Sequence, residues 1–330
     1  MDKKEKIVYC TYFDKGFLLK GLALYYSLVR HSPGVNLWIL AFDKYTEDIL
    51  KRMKLEGITV VSLSDFEDKE LLAVKSTRHI VEYYWTCTPS WIMYVMNHNK
   101  DADFVVYLDA DLYFYSDPNE ALREIDDKSL LVVEHRFPKD FAILAKENGR
   151  FNVAFNVFRK DKISSECLKR WRAQCLEWCY WKKENGKLGD QMYLDEWPSL
   201  YGPNLVISTN LGLDAAPWNI SQYRISKRGK FVYINSDKLI CYHFHQFKII
   251  DKGRFARASG YTLSKDVINY IYKPYEEEID KQFDRVKGFD PNFVVEVSKK
   301  NSNKLMVFKE RMAKYLGPVY WRIKTFLANG

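Results

Sequence analysis

No apolar run in the sequence approaches the ~20 residues that a bilayer-spanning helix needs, so a membrane-spanning fold is not expected. The first residues, Met1-Asp2-Lys3-Lys4-Glu5-Lys6, are charged and lack the apolar stretch of a signal peptide, so a cytoplasmic location is expected. The six cysteines, at 10, 87, 167, 175, 179 and 241, have no framework spacing. Cys175 and Cys179 stand four apart in a helical stretch without a second pair nearby, which points to buried free thiols rather than to zinc. There is no internal repeat and no low-complexity segment. The body of the chain also lacks a basic excess. The net charge is +8, but Lys299 to Gly330 holds eight basic side chains against one acidic, a net +7 that leaves the rest near neutral. A nucleic-acid domain would spread its charge across the fold, so no nucleic-acid partner is expected.

What is present is a chain of 330 residues, 47% of them hydrophobic, enough for one large domain or one domain with an appendage. Aromatics at 16% suit both cores and sugar rings. Strand-like and helical patterns alternate over the first ~135 residues. Ile7 to Phe13 reads as a strand, and Leu18, Leu22, Tyr25 and Val29 recur at the helical period until Ser32-Pro33-Gly34. Val35 to Phe42 reads as a second strand, Glu47 to Leu55 as a helix and Thr59 to Leu63 as a third strand. Residues 71–98 read as helical on both sides of a break at Thr88-Pro89. This order predicts an α/β fold with a mostly parallel central sheet flanked by helices. Later pieces at 151–158, 205–208 and 231–244, around a helix from about Ser164 to Lys183, predict a smaller mixed-sheet half. The expected division is 1–260 as the main domain, split into a 1–135 half and a 136–260 half, with 261–330 as a helical extension.

Phe104-Val105-Val106-Tyr107-Leu108 is a near-continuous apolar run, as in a central strand buried on both sides, and it ends in Asp109-Ala110-Asp111. Carboxylates at the carboxyl end of such a strand stand where open α/β sheets bind ligands. Two of them one residue apart can converge on one ion, and oxygen ligands suit Mg²⁺ or Mn²⁺. Tyr242-His243-Phe244-His245 would place both imidazoles on one face of a strand, where either is a reasonable third ligand. Lys248 lies just beyond as a point charge for a diphosphate. A phosphohydrolase of the haloacid dehalogenase type also uses Asp-x-Asp, but after its first strand and with a following threonine; here three strands precede and Leu112 follows. A non-catalytic nucleotide-sugar or glycan-binding protein is the other alternative.

In this order the pieces resemble the GT-A fold nucleotide-diphospho-sugar transferases, particularly the retaining glycosyltransferases of family 8, over roughly residues 7–250. The resemblance rests on Thr11-Tyr12-Phe13-Asp14, Lys75 and Arg78, Asp109-Ala110-Asp111, Phe151 to Asn156, Gly189-Asp190-Gln191 and His243. It implies a metal-dependent transfer from a nucleotide sugar, a UDP-sugar, to a glycan or lipid-linked saccharide. By the same similarity Thr11, Tyr12 and Asp14 would lie against the nucleoside, and Lys75 and Arg78 would approach the pyrophosphate or donor sugar. Asp109, Asp111 and His243 would bind Mn²⁺ or Mg²⁺. Asn152, Asp190 and Gln191 would line the donor-sugar pocket, with Asp190 and Gln191 as the catalytic candidates beside an oxocarbenium-like centre. Two departures mark a divergent branch: Val153-Ala154 stands where the family has glycine after the Asn152 position, and no glycine follows the histidine pair. The ligating histidine is therefore open between His243 and His245, with His243 preferred. An inverting reaction would need a general base, for which Asp190, Asp195, Glu196 and Asp214 are all candidates.

Trp197 and Trp218 flank prolines, and an indole face can stack on an acceptor sugar, although core packing is the more ordinary use of either. From Leu305, apolar residues recur as Leu305, Phe308, Met312, Tyr315, Leu316, Val319, Ile323, Phe326 and Leu327, with the lysines and arginines mostly off that face. Gly317-Pro318 should kink or split this helix. Such a basic amphipathic tail can lie on an anionic membrane surface, making the enzyme peripheral. The sequence says nothing of oligomeric state.

Overall fold

The computed structural model describes residues 5–295. The expected amphipathic tail from Leu305 lies outside them. β1 (Ile7–Phe13) is followed by α1 (Leu18–His31), β2 (Leu37–Ala41), α2 (Lys44–Met53) and β3 (Ile58–Ser62). Next come the helix Ile80–His98, β4 (Phe104–Leu108), β5 (Leu112–Phe114), β6 (Leu130–Glu134), β7 (Phe151–Arg159), the helix Lys162–Glu177 and β8 (Leu205–Ile207). One seven-stranded sheet runs β3-β2-β1-β4-β7-β6-β8. Only β7 runs against its neighbours, so the expected mostly parallel α/β sheet is what forms.

Both faces of the sheet are covered, and β4 shows why its sequence is apolar throughout. Phe104, Val106 and Leu108 enter one core with α1 and the late helix Lys273–Phe289. Val105 and Tyr107 enter the other, with Trp91 and Val95 of the helix Ile80–His98 and Trp171 of Lys162–Glu177. Successive strand residues point to opposite faces, so a doubly covered strand needs apolar side chains at every position. At Gly21 in α1, a Cβ would come within 2.3 Å of the Phe13 ring. Glycine there lets α1 lie close on β1.

Two local expectations are corrected. The helix Ile80–His98 runs unbroken through Pro89. The proline forfeits one backbone hydrogen bond, but Cys87, Trp91, Ile92 and Val95 are fully buried on this helix, and that packing outweighs the lost bond. The helix expected to reach Lys183 ends at Glu177, where Trp178 turns to extended geometry.

After β8 the chain forms a small antiparallel sheet of β9 (Ile225–Arg228), β10 (Phe231–Ile234) and β11 (Asp237–Lys238). β12 (Cys241–His243) then pairs antiparallel with β5, His243 opposite Leu112. A hairpin of β13 (Lys248–Asp251) and β14 (Arg254–Ala256) follows. The helix Lys273–Phe289 returns to α1, where Glu278 meets Arg30 at 2.7 Å. No described helix is long and apolar enough to cross a membrane. The six cysteines are buried free thiols.

Candidate functional site

The pairing of β5 with β12 builds the site. Asp109-Ala110-Asp111 bridges β4 and β5, so the strand that pairs with β5 arrives beside Asp111: the Phe244 N–H donates to the Asp111 carbonyl at 2.9 Å. Asp109 is anchored from the other side, its N–H donating to Ala154 of β7 at 2.9 Å. One ligand atom each from Asp109, Asp111 and His243 lie within 4.8 Å of one another. His243 Nε2 is 3.2 Å from Asp111 Oδ1. Two atoms bound at right angles to an ion at about 2.1 Å would themselves be about 3 Å apart, so the donor types and the Asp111–His243 spacing fit Mg²⁺ or Mn²⁺.

The electrostatics of the three differ. Burial pushes the Asp109 carboxyl up to about 6, opposed by His243 and by the Tyr107 hydroxyl, which donates to Oδ1 at 2.8 Å. Burial also acts to raise Asp111, but His243, Lys20 and His245 outweigh it and hold this carboxyl well below the usual range. For His243, burial favours the neutral ring, yet Asp111 and Asp214 on its two sides dominate and hold it well above the ordinary histidine value.

Three residues of this site were not singled out from the sequence as its parts. Lys20 of α1 is buried, with Nζ 3.6 Å from Asp111 Oδ2 and 4.3 Å from the Phe17 ring centroid. Its signal was a lysine within a helix buried almost all round, Leu18 to Tyr25. His135 follows β6 and is lowered to about 3 by burial. Its carbonyl accepts from Trp218 Nε1 at 2.9 Å and from Asn219 Nδ2 at 3.0 Å. Asp214 was weighed only as a base, whereas its carboxylate lies 3.4 Å from His243 Nδ1.

The other expected residues divide into groups. Tyr12 packs on Phe42, Tyr84 and Tyr107, and its hydroxyl is 2.9 Å from Thr88 Oγ1. Thr88 donates to Asp190 Oδ2 at 2.9 Å, so a hydrogen-bonded line joins β1 to Asp190. Burial raises the Asp190 carboxyl to about 7. Asp14 accepts from the Tyr84 hydroxyl at 2.9 Å and caps the turn at Phe17. Asn152 is buried, accepts from the Ala154 N–H at 2.7 Å, and faces His135 Nε2 at 3.2 Å.

Thr11 is fully buried and its hydroxyl has no hydrogen-bond partner among the described residues. Lys75 pairs with Glu67 at 2.6 Å, and Arg78 lies over the Tyr180 ring and donates to the Leu176 carbonyl at 3.0 Å. Gln191 donates to the Asn148 carbonyl at 2.6 Å. Lys248 is exposed on β13.

The histidine pair does not lie on one continuous strand. β12 ends at His243, and the chain turns through Gln246 at φ +59°. Both rings still meet Trp218 edge-on, at 5.1 and 5.3 Å. His245 is lowered to about 4, by burial first and then by His243. Trp197 is packed in the core, whereas Trp218, also buried, lies against the rings of His135, His243 and His245.

This architecture is the GT-A glycosyltransferase fold. It superposes on the galactosyltransferase LgtC, solved with donor and acceptor sugar analogs, with a TM-score of 0.51 at 12% identity over 83% of this chain and 95% of LgtC. The apo structure of the bifunctional glycosyltransferase WbbM gives 0.50 at 14% identity over 86% of this chain, which spans about half of WbbM, 52%. In sequence, the chain is 30% identical over 288 residues to the uncharacterized protein YfnD of Bacillus subtilis (strain 168), covering 86% of this chain and 92% of YfnD. YfnF of the same organism, also uncharacterized, is 32% identical over 292 residues, 86% and 95% of the two chains. The chain belongs to the family of YfnD and YfnF. No family model matches it.

Proposed function

We propose that the protein is a metal-dependent glycosyltransferase, of the hexosyltransferase kind, that moves a sugar from a UDP-sugar to a glycan or lipid-linked saccharide with retention, as a divergent branch of family 8. The observation that carries this reading is the convergence of Asp109, Asp111 and His243 at the carboxyl end of β4 in a GT-A fold. In this reading those three side chains hold Mn²⁺ or Mg²⁺, and a bound ion supplies Lewis-acid neutralisation of the leaving diphosphate. His243 and Lys20 keep Asp111 ionised. Tyr12 and Asp14 border the nucleoside, with Thr11 behind them in β1. Lys75 and Arg78 exchange Glu67 and Tyr180 for the diphosphate, with Lys248 approaching from β13. Asn152 and Gln191 line the sugar, and Asp190, held by Thr88, stabilises positive charge developing at the glycosyl carbon.

A UDP-sugar is expected to raise the melting temperature only with Mn²⁺ or Mg²⁺. At 100 times Kd the stabilisation is about 2.7 kcal/mol, a shift of several degrees in a thermal-shift assay. An equal shift in metal-free buffer would sink the metal-dependent reading.

The basic tail extends the proposal to a cytoplasmic enzyme peripheral to an anionic membrane, near a lipid-linked acceptor. Removing residues 300–330 is expected to weaken co-sedimentation with anionic vesicles while sparing donor binding. Unchanged sedimentation would remove the membrane role.

A further inference from the structure

We propose that Asp214 is the positioning residue behind the metal-binding histidine: its carboxylate receives the Nδ1–H of His243 and so commits Nε2 to the side of Asp109 and Asp111. This rests on the metal-site reading above and adds to it the group that sets the tautomer.

The backbone makes the arrangement. β12 lies between two partners, β5 on one side and the segment Leu213 to Ala216 on the other. The His243 N–H donates to the Ala215 carbonyl at 2.8 Å, and the Ala215 N–H to the Cys241 carbonyl at 3.3 Å. The β5 side brings Asp111 to one edge of the imidazole, with Oδ1 3.2 Å from Nε2. The other side brings Asp214 to the opposite edge, with Oδ1 3.4 Å from Nδ1. The ring therefore has a carboxylate at each nitrogen, and only one of the two, Asp111, shares the cluster with Asp109.

Asp214 is an unusual carboxylate for any purely structural task. It is completely buried, and neither of its oxygens has a hydrogen-bond partner among the described residues. His243 Nδ1 also lacks one. The 3.4 Å gap is an ion-pair distance, somewhat longer than a formed N–H···O bond. Arg136 lies nearby, but its two terminal nitrogens donate to backbone carbonyls, those of Asn210, Leu213 and Asp214, and its Nε has no hydrogen-bond partner among the described residues. Those bonds hold the 214 backbone in a left-handed turn, φ +53°, which a non-glycine residue adopts at a cost. A buried carboxylate held in a left-handed turn, within ion-pair distance of one imidazole nitrogen and hydrogen-bonded to nothing among the described residues, fits the carboxylate–histidine–metal relay. His245 packs edge-on against the rings of Trp218 and His243, and Asp111 is the carboxylate that acts on it. The orienting carboxylate thus selects His243 of the pair.

The test is Mn²⁺ binding to the full chain without donor, followed by the electron paramagnetic resonance of the free ion. Alongside it, the tautomer of His243 is read from long-range ¹H–¹⁵N correlations in the Mg²⁺-loaded protein. Wild type is expected to bind Mn²⁺ with Nδ1 protonated. Asp214→Ala should weaken Mn²⁺ by roughly 10–100-fold and mix the tautomers. Asp214→Asn, whose amide oxygen still accepts the proton, should lose less affinity and shift the Nδ1 resonance. If wild type binds no Mn²⁺, the metal-site reading and this one fall together. If wild type binds and Asp214→Ala binds equally with one tautomer retained, only this proposal falls. Should Asp214→Ala not fold, Asp214→Asn decides: unchanged affinity together with an unchanged Nδ1 resonance overturns it.

Discussion

Asp111→Ala is expected to lower metal-dependent turnover of a UDP-sugar by at least about 1000-fold, and to destabilise the metal-free fold by about 3 kcal/mol. The first effect follows from geometry. Asp111 is the member of the cluster in contact with His243, and without it the remaining ligands are Asp109 and an imidazole that no longer has a carboxylate beside Nε2. The second follows from burial. Lys20 and His243 are both nearly inaccessible, and both have Asp111 as a charged partner. Removing one member of a buried ion group leaves the others uncompensated. The carboxyl is depressed in the fold, so its stabilising contribution is fully present above its ordinary value near 3.9 and is lost only as the pH falls through the folded one. At neutral pH the whole effect is therefore on view. Urea unfolding without metal, beside donor turnover with Mn²⁺, reads both quantities. Turnover within tenfold of wild type would remove Asp111 from the proposed ligand set, and an unchanged urea midpoint would show that Lys20 and His243 do not depend on it.

The architecture was readable wherever a periodic signal coincided with a buried element. β1 occupies the expected Ile7–Phe13, and Phe104–Leu108 is the central strand that its apolar run announced. Asp109-Ala110-Asp111 was legible for the same reason, because its meaning came from the strand in front of it. Pro89 misled because a local rule met a tertiary context that overrode it: the buried face around Trp91 holds the helix together. The chemistry around the aspartates was harder to see. Lys20, His135 and Asp214 are separated from Asp111 by 91, 24 and 103 positions in sequence, and they are assembled by the packing of α1 on β5, by β6 lying beside β7, and by the β5–β12 pairing with the turn at 214. No short-range pattern encodes a contact of that kind. The histidine pair shows the same limit, since alternation gave both rings one face while the chain turns away after His243. The loop tryptophans were ambiguous in sequence for a different reason: an indole beside a proline serves a core as readily as a site, and only the fold separates Trp197, packed in the core, from Trp218, packed on His135, His243 and His245.

Mn²⁺ affinity is expected to climb with pH, with a change of slope near 6. A ligand must lose its proton before it can coordinate, so each protonated member of the set sets a tenfold penalty per pH unit below its own titration point. Asp111 is ionised throughout this range, while burial raises Asp109 to about 6 and Asp111 and Asp214 hold the proton on His243. Below about 6 two protons must therefore leave, and log K should rise by roughly two per pH unit. Above it only the imidazolium remains to be displaced, and the slope should fall to about one until His243 itself titrates. The metal-free fold responds in the opposite sense. A raised histidine stabilises it below the unfolded value near 6.5 and stops doing so as pH rises through the folded value, and the raised Asp109 opposes folding from about 4 upward. The Mn²⁺-induced rise in melting temperature should consequently widen between about pH 5 and about pH 8. Both trends are measured in one set of thermal-shift titrations with and without the ion. A metal response that stays flat across that interval would mean that neither proton is displaced, and the ion would then have to bind somewhere other than Asp109 and His243.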